Sequence, residues 1–255
     1  MSGRFTGAGV GPGDPELMTI KAVRAIEECS VIAIPVSDST LEEPVFERAG
    51  DEDKRNAAYL ERCVAYQIAA GAFSAIAEKD RIYLPMPMIK EKEKLKAIHD
   101  RDAAAVAELL DKDKNVVFLT LGDPTVYSTC MYVHKRLKRA GYTTQIIPGI
   151  PSFCAAAARM DISLVENRQE LHVLPASYDI EGSLNLPGTK VLMKAGRKMG
   201  EVKRMLTEKG LDAVMVENCG MDNEKIYLGA QEIPEQAGYY SLLVVKEKQT
   251  GGKER

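Results

Sequence analysis

Two glycine-rich turns, far apart in the chain, constrain its fold more than any other feature: Gly7-Ala8-Gly9-Val10-Gly11-Pro12-Gly13-Asp14-Pro15 and Leu121-Gly122-Asp123-Pro124. Each follows an apolar run that reads as a buried strand, Phe5 to Val10 in the first case and Val116 to Leu121 in the second. Each precedes a helical pattern. Strand-to-helix turns of this kind belong to open sheets that bind ligands in the crevice beyond the carboxyl ends of their strands. The pattern predicts an α/β fold, and an enzyme ahead of a scaffold.

The periodicity between the turns supports this. Phe5 to Val10 and Ser30 to Val36 are short apolar runs, and Leu17 to Glu28 between them keeps Leu17, Ile20, Ala22, Val23 and Ile26 near helical spacing, a β-α-β unit. Asp14-Pro15-Glu16 has the chemistry of a helix start: a capping carboxylate, a proline at the first position, an acid at the positive end of the dipole. Ser37 to Ala57 is polar, acidic and aperiodic, and reads as a long surface excursion. A helix Asn56 to Glu78, a strand Arg81 to Leu84, a charged helix Glu91 to Leu110, a helix Val126 to Ala140 and a strand Tyr142 to Ile147 follow. After Pro148-Gly149-Ile150-Pro151-Ser152 comes a small-residue helix, Phe153 to Met160. The second half then alternates strand-like runs, Leu171 to Ala176, Lys190 to Ala195, Ala213 to Asn218, Lys225 to Leu228 and Tyr240 to Lys246, with one amphipathic helix, Met199 to Lys209. We therefore expect an N-terminal α/β domain over 1–147, a C-terminal α/β domain over 148–248 and a loose tail over 249–255.

Composition removes several function classes. A net charge of −3 argues against a broad polyanion-binding surface, so an anionic partner would have to be gripped locally. Cys29, Cys63, Cys130, Cys154 and Cys219 form no C-x-x-C pair, and His99, His134 and His172 show no ligand spacing. Neither a protein-bound metal nor a disulfide framework is expected. No signal-peptide succession and no membrane-length apolar run is present, so the expected location is cytoplasmic.

Taken alone, the turns leave their ligand open. A dinucleotide G-x-G-x-x-G fails at Pro12 when started from Gly7 and at Asp14 when started from Gly9, and Pro35-Val36 stands where an acidic ribose ligand would end the second strand. The looser G-x-G-x-G of doubly wound methyltransferases fits Gly7, Gly9 and Gly11, and so does an ordinary tight turn. In the second turn Gly122 admits a ligand close to the backbone, while Asp123 can accept hydrogen bonds from a ligand or from its own turn. Pro148 to Ser152 runs into a helix whose first N–H groups suit an anion.

The segments G-V-G-P-G-D-P-E-L-M-T-I-K-A (9 to 22), L-G-D-P-T-V-Y-S-T (121 to 129), P-G-I-P-S-F-C-A-A-A-A (148 to 158), V-E-N-C-G-M (216 to 221) and Y-Y-S-L-L-V-V (239 to 245) together resemble the tetrapyrrole methyltransferases of corrin biosynthesis. Within that family the pattern is most similar to enzymes that methylate C20 of precorrin-2 or cobalt-factor II. The resemblance runs from about Gly7 to Lys246, with its motifs in family order. It implies the tetrapyrrole methylase fold, two α/β domains with S-adenosylmethionine (SAM) in the cleft between them, and a homodimer acting on a small tetrapyrrole in cobalamin biosynthesis.

By position it also implies cofactor contacts at Pro12, Leu121, Gly122, Asp123, Val126, Ser152, Phe153, Met193, Asn218, Cys219 and Gly220. Gly122, Asp123 and Ser152 rank first among them, since Leu121, Val126 and Met193 equally suit a core. Tyr127 and Asp14 are candidates for the proton acceptor by loop position alone. Lys54, Arg55, Arg62, Lys90, Lys92, Arg197 and Lys198 stand near expected loops and could meet substrate carboxylates or be plain surface charges. One departure is informative: the uroporphyrinogen-III enzymes of the family have an aspartate near the end of the second strand, where this chain has Ile34-Pro35-Val36. The competing readings are a sister enzyme acting at another ring position, a macromolecule methylase of the same fold, and a SAM-binding sensor without turnover.

Overall fold

The computed structural model describes residues 2–51, 53–175 and 180–246. The chain divides into two compact units, Met1–Pro151 and Ser152–Arg255. The break falls after the Pro148 to Pro151 turn, four residues beyond the boundary expected from the sequence.

The first unit is built on a six-stranded sheet. Its strands are β1 (Arg4–Gly9), β2 (Val31–Val36), β3 (Val45–Glu47), β4 (Asp80–Pro85), β5 (Val116–Thr120) and β6 (Thr143–Ile147), in the order β3-β4-β2-β5-β1-β6. All neighbours are parallel except β3, which runs antiparallel to β4. Helices cover both faces, so the central strands must be apolar on both sides, which is why Val31-Ile32-Ala33-Ile34 reads as an uninterrupted run rather than an alternation. Ile32, Ile34, Val117 and Leu119 point to one core with Ile26, Ile68 and Tyr83. Val31, Ala33, Phe118 and Phe5 point to the other, with Val106, Leu110, Val133 and Leu137. Each large aliphatic side chain so buried contributes about 1.5–3 kcal/mol by leaving water. Pro35 is tolerated inside β2 because pairing with β5 ends at Ala33, leaving β2 a ladder on the β4 side alone at that point.

The helices of this unit are α1 (Ile20–Glu28), α2 (Lys54–Arg62), α3 (Val64–Ala72), α4 (Lys92–Leu110) and α5 (Cys130–Arg139). Four of these differ from the sequence reading, each for a local reason. Asp14 does cap, but it caps a single 3-10 turn, Pro15–Leu17; α1 starts later, where the Thr19 hydroxyl accepts from Ala22 N–H. The helix expected over 56–78 is broken at Cys63, whose extended backbone separates polar α2 from apolar α3, and it ends in a 3-10 turn, Ser74–Glu78. The helix expected from Val126 begins only at Cys130, because Tyr127 has a left-handed φ of 50° that no α-helix accommodates, and because the Ser128 hydroxyl takes the Cys130 N–H.

The acidic excursion is also more ordered than its composition suggests. It carries β3, and with it a buried network at the amino end of β4. Glu47 receives Arg81 Nη1 at 2.9 Å and the Tyr83 hydroxyl at 3.1 Å on one oxygen, and Asn56 Nδ2 at 2.5 Å on the other. Arg81 also donates to the Ala77 carbonyl. Burial, and then the neighbouring Glu47 charge, raise the Tyr83 phenol above its ordinary pKa, so it stays a donor.

The second unit has a five-stranded mixed sheet of β7 (Leu171–Pro175), β8 (Thr189–Met193), β9 (Asp212–Glu217), β10 (Lys225–Leu228) and β11 (Ser241–Lys246), ordered β10-β9-β11-β8-β7. Only β7 and β8 are parallel. The helices α7 (Ile180–Leu184), which the sequence did not signal, and α8 (Met199–Glu208) bury Ile180, Leu184, Met199, Val202 and Leu206 against one face. Helix α6 (Ser152–Arg159) sets Ala156 against the other. Ala176 and the 249–255 tail lie outside the described residues.

The Glu47 network generates a test. Arg81→Met leaves a buried carboxylate without its cation, which costs about 3–5 kcal/mol. The urea midpoint should fall accordingly, and an unchanged midpoint would show that the pair does not hold the excursion.

Candidate functional site

In the first unit, three loops leave the carboxyl ends of the adjacent strands β5, β1 and β6 and meet through backbone. Gly11 and Gly122 form an isolated antiparallel bridge, with Gly122 N–H donating to Gly11 O at 2.7 Å and Gly11 N–H to Gly122 O at 3.3 Å. The Val10 N–H reaches Thr120 O at 2.9 Å. Both bridging glycines have positive φ, 79° and 68°, which suits a residue without a Cβ. The third loop comes closer still. A Cβ on Gly149 would lie 2.1 Å from Gly122 O, and one on Gly9 would lie 2.5 Å from Gly149 N. No side chain larger than hydrogen fits at either place, so the loops touch main chain to main chain.

The Asp123 carboxylate closes this junction. It is buried, and its Oδ2 accepts from Gly149 N–H at 3.0 Å. Its Oδ1 accepts from Thr125 N–H at 2.7 Å and from the Thr125 hydroxyl. Val126 N–H returns to Asp123 O at 3.1 Å, closing the turn. Around it, Pro12, Gly13 and Pro124 are buried, and Leu121 and Val126 are half-buried. Leu121 packs on the core that β1 and β5 share. Tyr127 stands on the same loop, about half exposed, in its left-handed conformation. The Asp14 carboxylate is committed to Glu16 N–H at 2.8 Å. Gly7 lies below the junction, where a Cβ would press on Cys130 Sγ at 2.6 Å; burial pushes that thiol up to about 12.

In the second unit, strand ends again turn sharply. Lys194 follows Met193 with φ 59°, and Asn218 follows β9 with φ 54°. Asn218 N–H donates to Tyr240 O at 3.0 Å, and its own carbonyl accepts from Met221 N–H at 3.0 Å. Phe153, Met193 and Cys219, separated in sequence, share one apolar cluster with Val191, Val216, Leu242 and Val244. Ser152 opens α6. Gly220 N–H donates to Glu224 Oε2 at 2.9 Å, and Arg159 on α6 pairs with Glu224 Oε1 at 2.6 Å. Burial, reinforced by the Glu224 charge, raises the Cys219 thiol to about 11, so it is a neutral packing group at physiological pH.

The expected residues thus fall into two sets, Pro12, Leu121, Gly122, Asp123 and Val126 in one unit and Ser152, Phe153, Met193, Asn218, Cys219 and Gly220 in the other. Sequence reasoning missed Glu224, Arg159 and Thr125, which hold the turns in place. It had no signal for the first two, which are surface charges by composition; Thr125, two residues after Asp123, had the spacing of an Asx turn. Among the basic candidates, Arg62 is paired with Asp38 at 2.8 Å, just beyond the end of β2. Lys54, Arg55, Lys90 and Lys92 are exposed, the last two after β4, and Lys198 is half-buried in the 3-10 turn Gly196–Lys198 that also contains Arg197. Among the described residues no group of three or more His, Cys, Asp or Glu could hold a metal ion, and no helix is long and apolar enough to cross a membrane.

Residues 4–233 match the family described as Tetrapyrrole (Corrin/Porphyrin) Methylases. The chain is 30% identical over 243 residues to a probable cobalt-precorrin-2 C(20)-methyltransferase of Methanocaldococcus jannaschii, covering 94% of each. It is 30% identical over 258 residues to a precorrin-2 C(20)-methyltransferase of a Sinorhizobium species, covering 95% of each. Its fold is similar to the crystal structure of uroporphyrin-III C-methyltransferase from Thermus thermophilus complexed with S-adenosyl homocysteine. That similarity has a TM-score of 0.64 at 20% identity, over 96% of this chain and 98% of that one.

The junction carries its own prediction. Gly9→Ala forces the β6 turn away from β1, and overpacking of this kind costs about 1–3 kcal/mol. The thermal midpoint should fall by several degrees; a variant as stable as the parent would mean that the close approach is slack.

Proposed function

The chain belongs to the tetrapyrrole (corrin/porphyrin) methylases, and from that membership we propose that it transfers a methyl group from SAM to the C20 meso carbon of precorrin-2 or cobalt-factor II (cobalt-precorrin-2) in cobalamin biosynthesis. The observation that carries the reading is the near-full-length similarity to two relatives from different organisms, both named for C20 methylation. The Ile34-Pro35-Val36 end of β2 agrees with it.

The residues present suit the cofactor. The glycine junction gives loops whose backbone can approach a ligand without side chains in the way, and Phe153, Met193 and Cys219 give an apolar wall. In this reading the residues that contact SAM are Pro12, Leu121, Gly122, Asp123, Val126, Ser152, Phe153, Met193, Asn218, Cys219 and Gly220. Bound there, SAM supplies an electrophilic methyl on a sulfonium centre. The work of the chain is alignment and exclusion of water, since dispersing a positive charge is easier in a dry site than in bulk solvent. No covalent nucleophile is needed, because the meso carbon of a reduced tetrapyrrole is enamine-like.

The remaining task is to receive the proton that leaves C20. Tyr127, whose half-exposed ring stands on the β5 loop in a left-handed conformation, and Asp14, on the β1 loop, are the candidates by position. Lys54, Arg55, Arg62, Lys90, Lys92, Arg197 and Lys198 are candidates to meet the substrate carboxylates. A homodimer working in the cytoplasm belongs to the same reading.

Purified protein incubated anaerobically with SAM should add one methyl to precorrin-2 or to cobalt-factor II, read as product mass, and whichever is accepted decides the metal question. Methylation of uroporphyrinogen III alone would point to a sister enzyme, and SAM binding without turnover on any of the three to a sensor. Tyr127→Phe should lower kcat at least about tenfold while leaving the affinity for S-adenosylhomocysteine unchanged; unchanged turnover removes Tyr127 from the mechanism.

A further inference from the structure

We propose that Asp123 is a positioning residue: its carboxylate bolts the β5 loop to the β6 turn, and it serves the cofactor by fixing Gly149 and not through a side-chain contact with the ligand. The proposal rests on the SAM reading for the identity of the ligand, and on the structure alone for the tie.

A carboxylate offers about four lone-pair positions, and three of these are filled from within the unit. Thr125 takes two positions on Oδ1, through its N–H and its hydroxyl, and Gly149 N–H takes one on Oδ2. The group is buried, 7% exposed, so little of it faces outward. Its partners lie on different loops. Thr125 belongs to the turn after β5, Gly149 to the turn after β6, and β1 runs between these two strands in the sheet. The bond from Asp123 to Gly149 therefore spans β1 and clamps the Gly9 backbone beneath it, at a separation where not even a methyl fits.

The sequence between the flanking prolines makes the tie measurable. Pro148 and Pro151 have no N–H, so the segment Pro148-Gly149-Ile150-Pro151 exchanges backbone hydrogen only at Gly149 and Ile150. In ligand-free protein, Asp123→Asn sets an amide nitrogen or a weaker, neutral acceptor against the Gly149 N–H. Exchange at Gly149 should quicken about tenfold or more, the scale of a lost charge-assisted bond. The dissociation constant for S-adenosylhomocysteine, titrated calorimetrically, should rise by a similar factor.

Weakened binding with unchanged exchange would mean that the carboxylate touches the ligand directly, and it overturns the proposal. Faster exchange with unchanged binding would mean that the tie does not serve the cofactor, and it overturns the proposal equally. Should Asp123→Asn fail to fold, Thr125→Val removes one orienting donor and keeps the carboxylate. Exchange and affinity should then move together by about threefold, and a change in affinity alone again overturns the proposal. A wild-type protein that does not bind S-adenosylhomocysteine defeats the SAM reading itself, while the exchange comparison still decides the tie.

Discussion

The contact on which the rest of the site depends is the meeting of three backbones at Gly9, Gly122 and Gly149, closed by one buried carboxylate. Parallel strands in a sheet lie about 4.8 Å apart, and their outgoing loops ordinarily diverge to make room for side chains. Here the loops from β5, β1 and β6 are drawn together instead. Two reciprocal hydrogen bonds join Gly11 to Gly122, and the Asp123 carboxylate reaches across to the Gly149 N–H. The geometry removes side chains from the place where a ligand can come nearest the sheet.

Within the first sheet, a buried polar network and the candidate site lie at opposite ends. The network, Glu47 with Arg81, Tyr83 and Asn56, lies at the amino end of β4. Beside it Lys114, just ahead of β5, pairs with Asp80 at 2.7 Å and holds its carboxyl below the usual range. Both join the excursion and the edge strands to the body of the unit. Among the described residues the carboxyl ends have no comparable buried ion pair; main-chain bonds and Asp123 hold the loops there.

How far the sequence disclosed this depends on the scale considered. The α/β class and the central strands were legible because strands buried on both faces need continuous apolar runs, and Val31 to Val36 and Val116 to Leu121 have them. Family membership was legible because five motifs recur in order. Helix limits were less so. Asp14-Pro15-Glu16 has every mark of an α-helix start and makes a 3-10 turn, since Thr19 offers a second cap a few residues later. Tyr127 gives no local sign of a positive φ, and it postpones α5 to Cys130. The loops of the candidate site were visible as glycines, but not their ties. Glu224 with Arg159, and Glu217 with the Gly238 N–H, join residues distant in sequence and of unremarkable type.

The glycine junction also limits how such a chain can change over generations. A methyl at Gly149 collides with Gly122, and one at Gly9 collides with both Gly122 and Gly149. Gly9 and Gly149 are therefore coupled in variation: a methyl at either is accommodated only if the neighbouring loop moves, so a change at one alters what the other can tolerate.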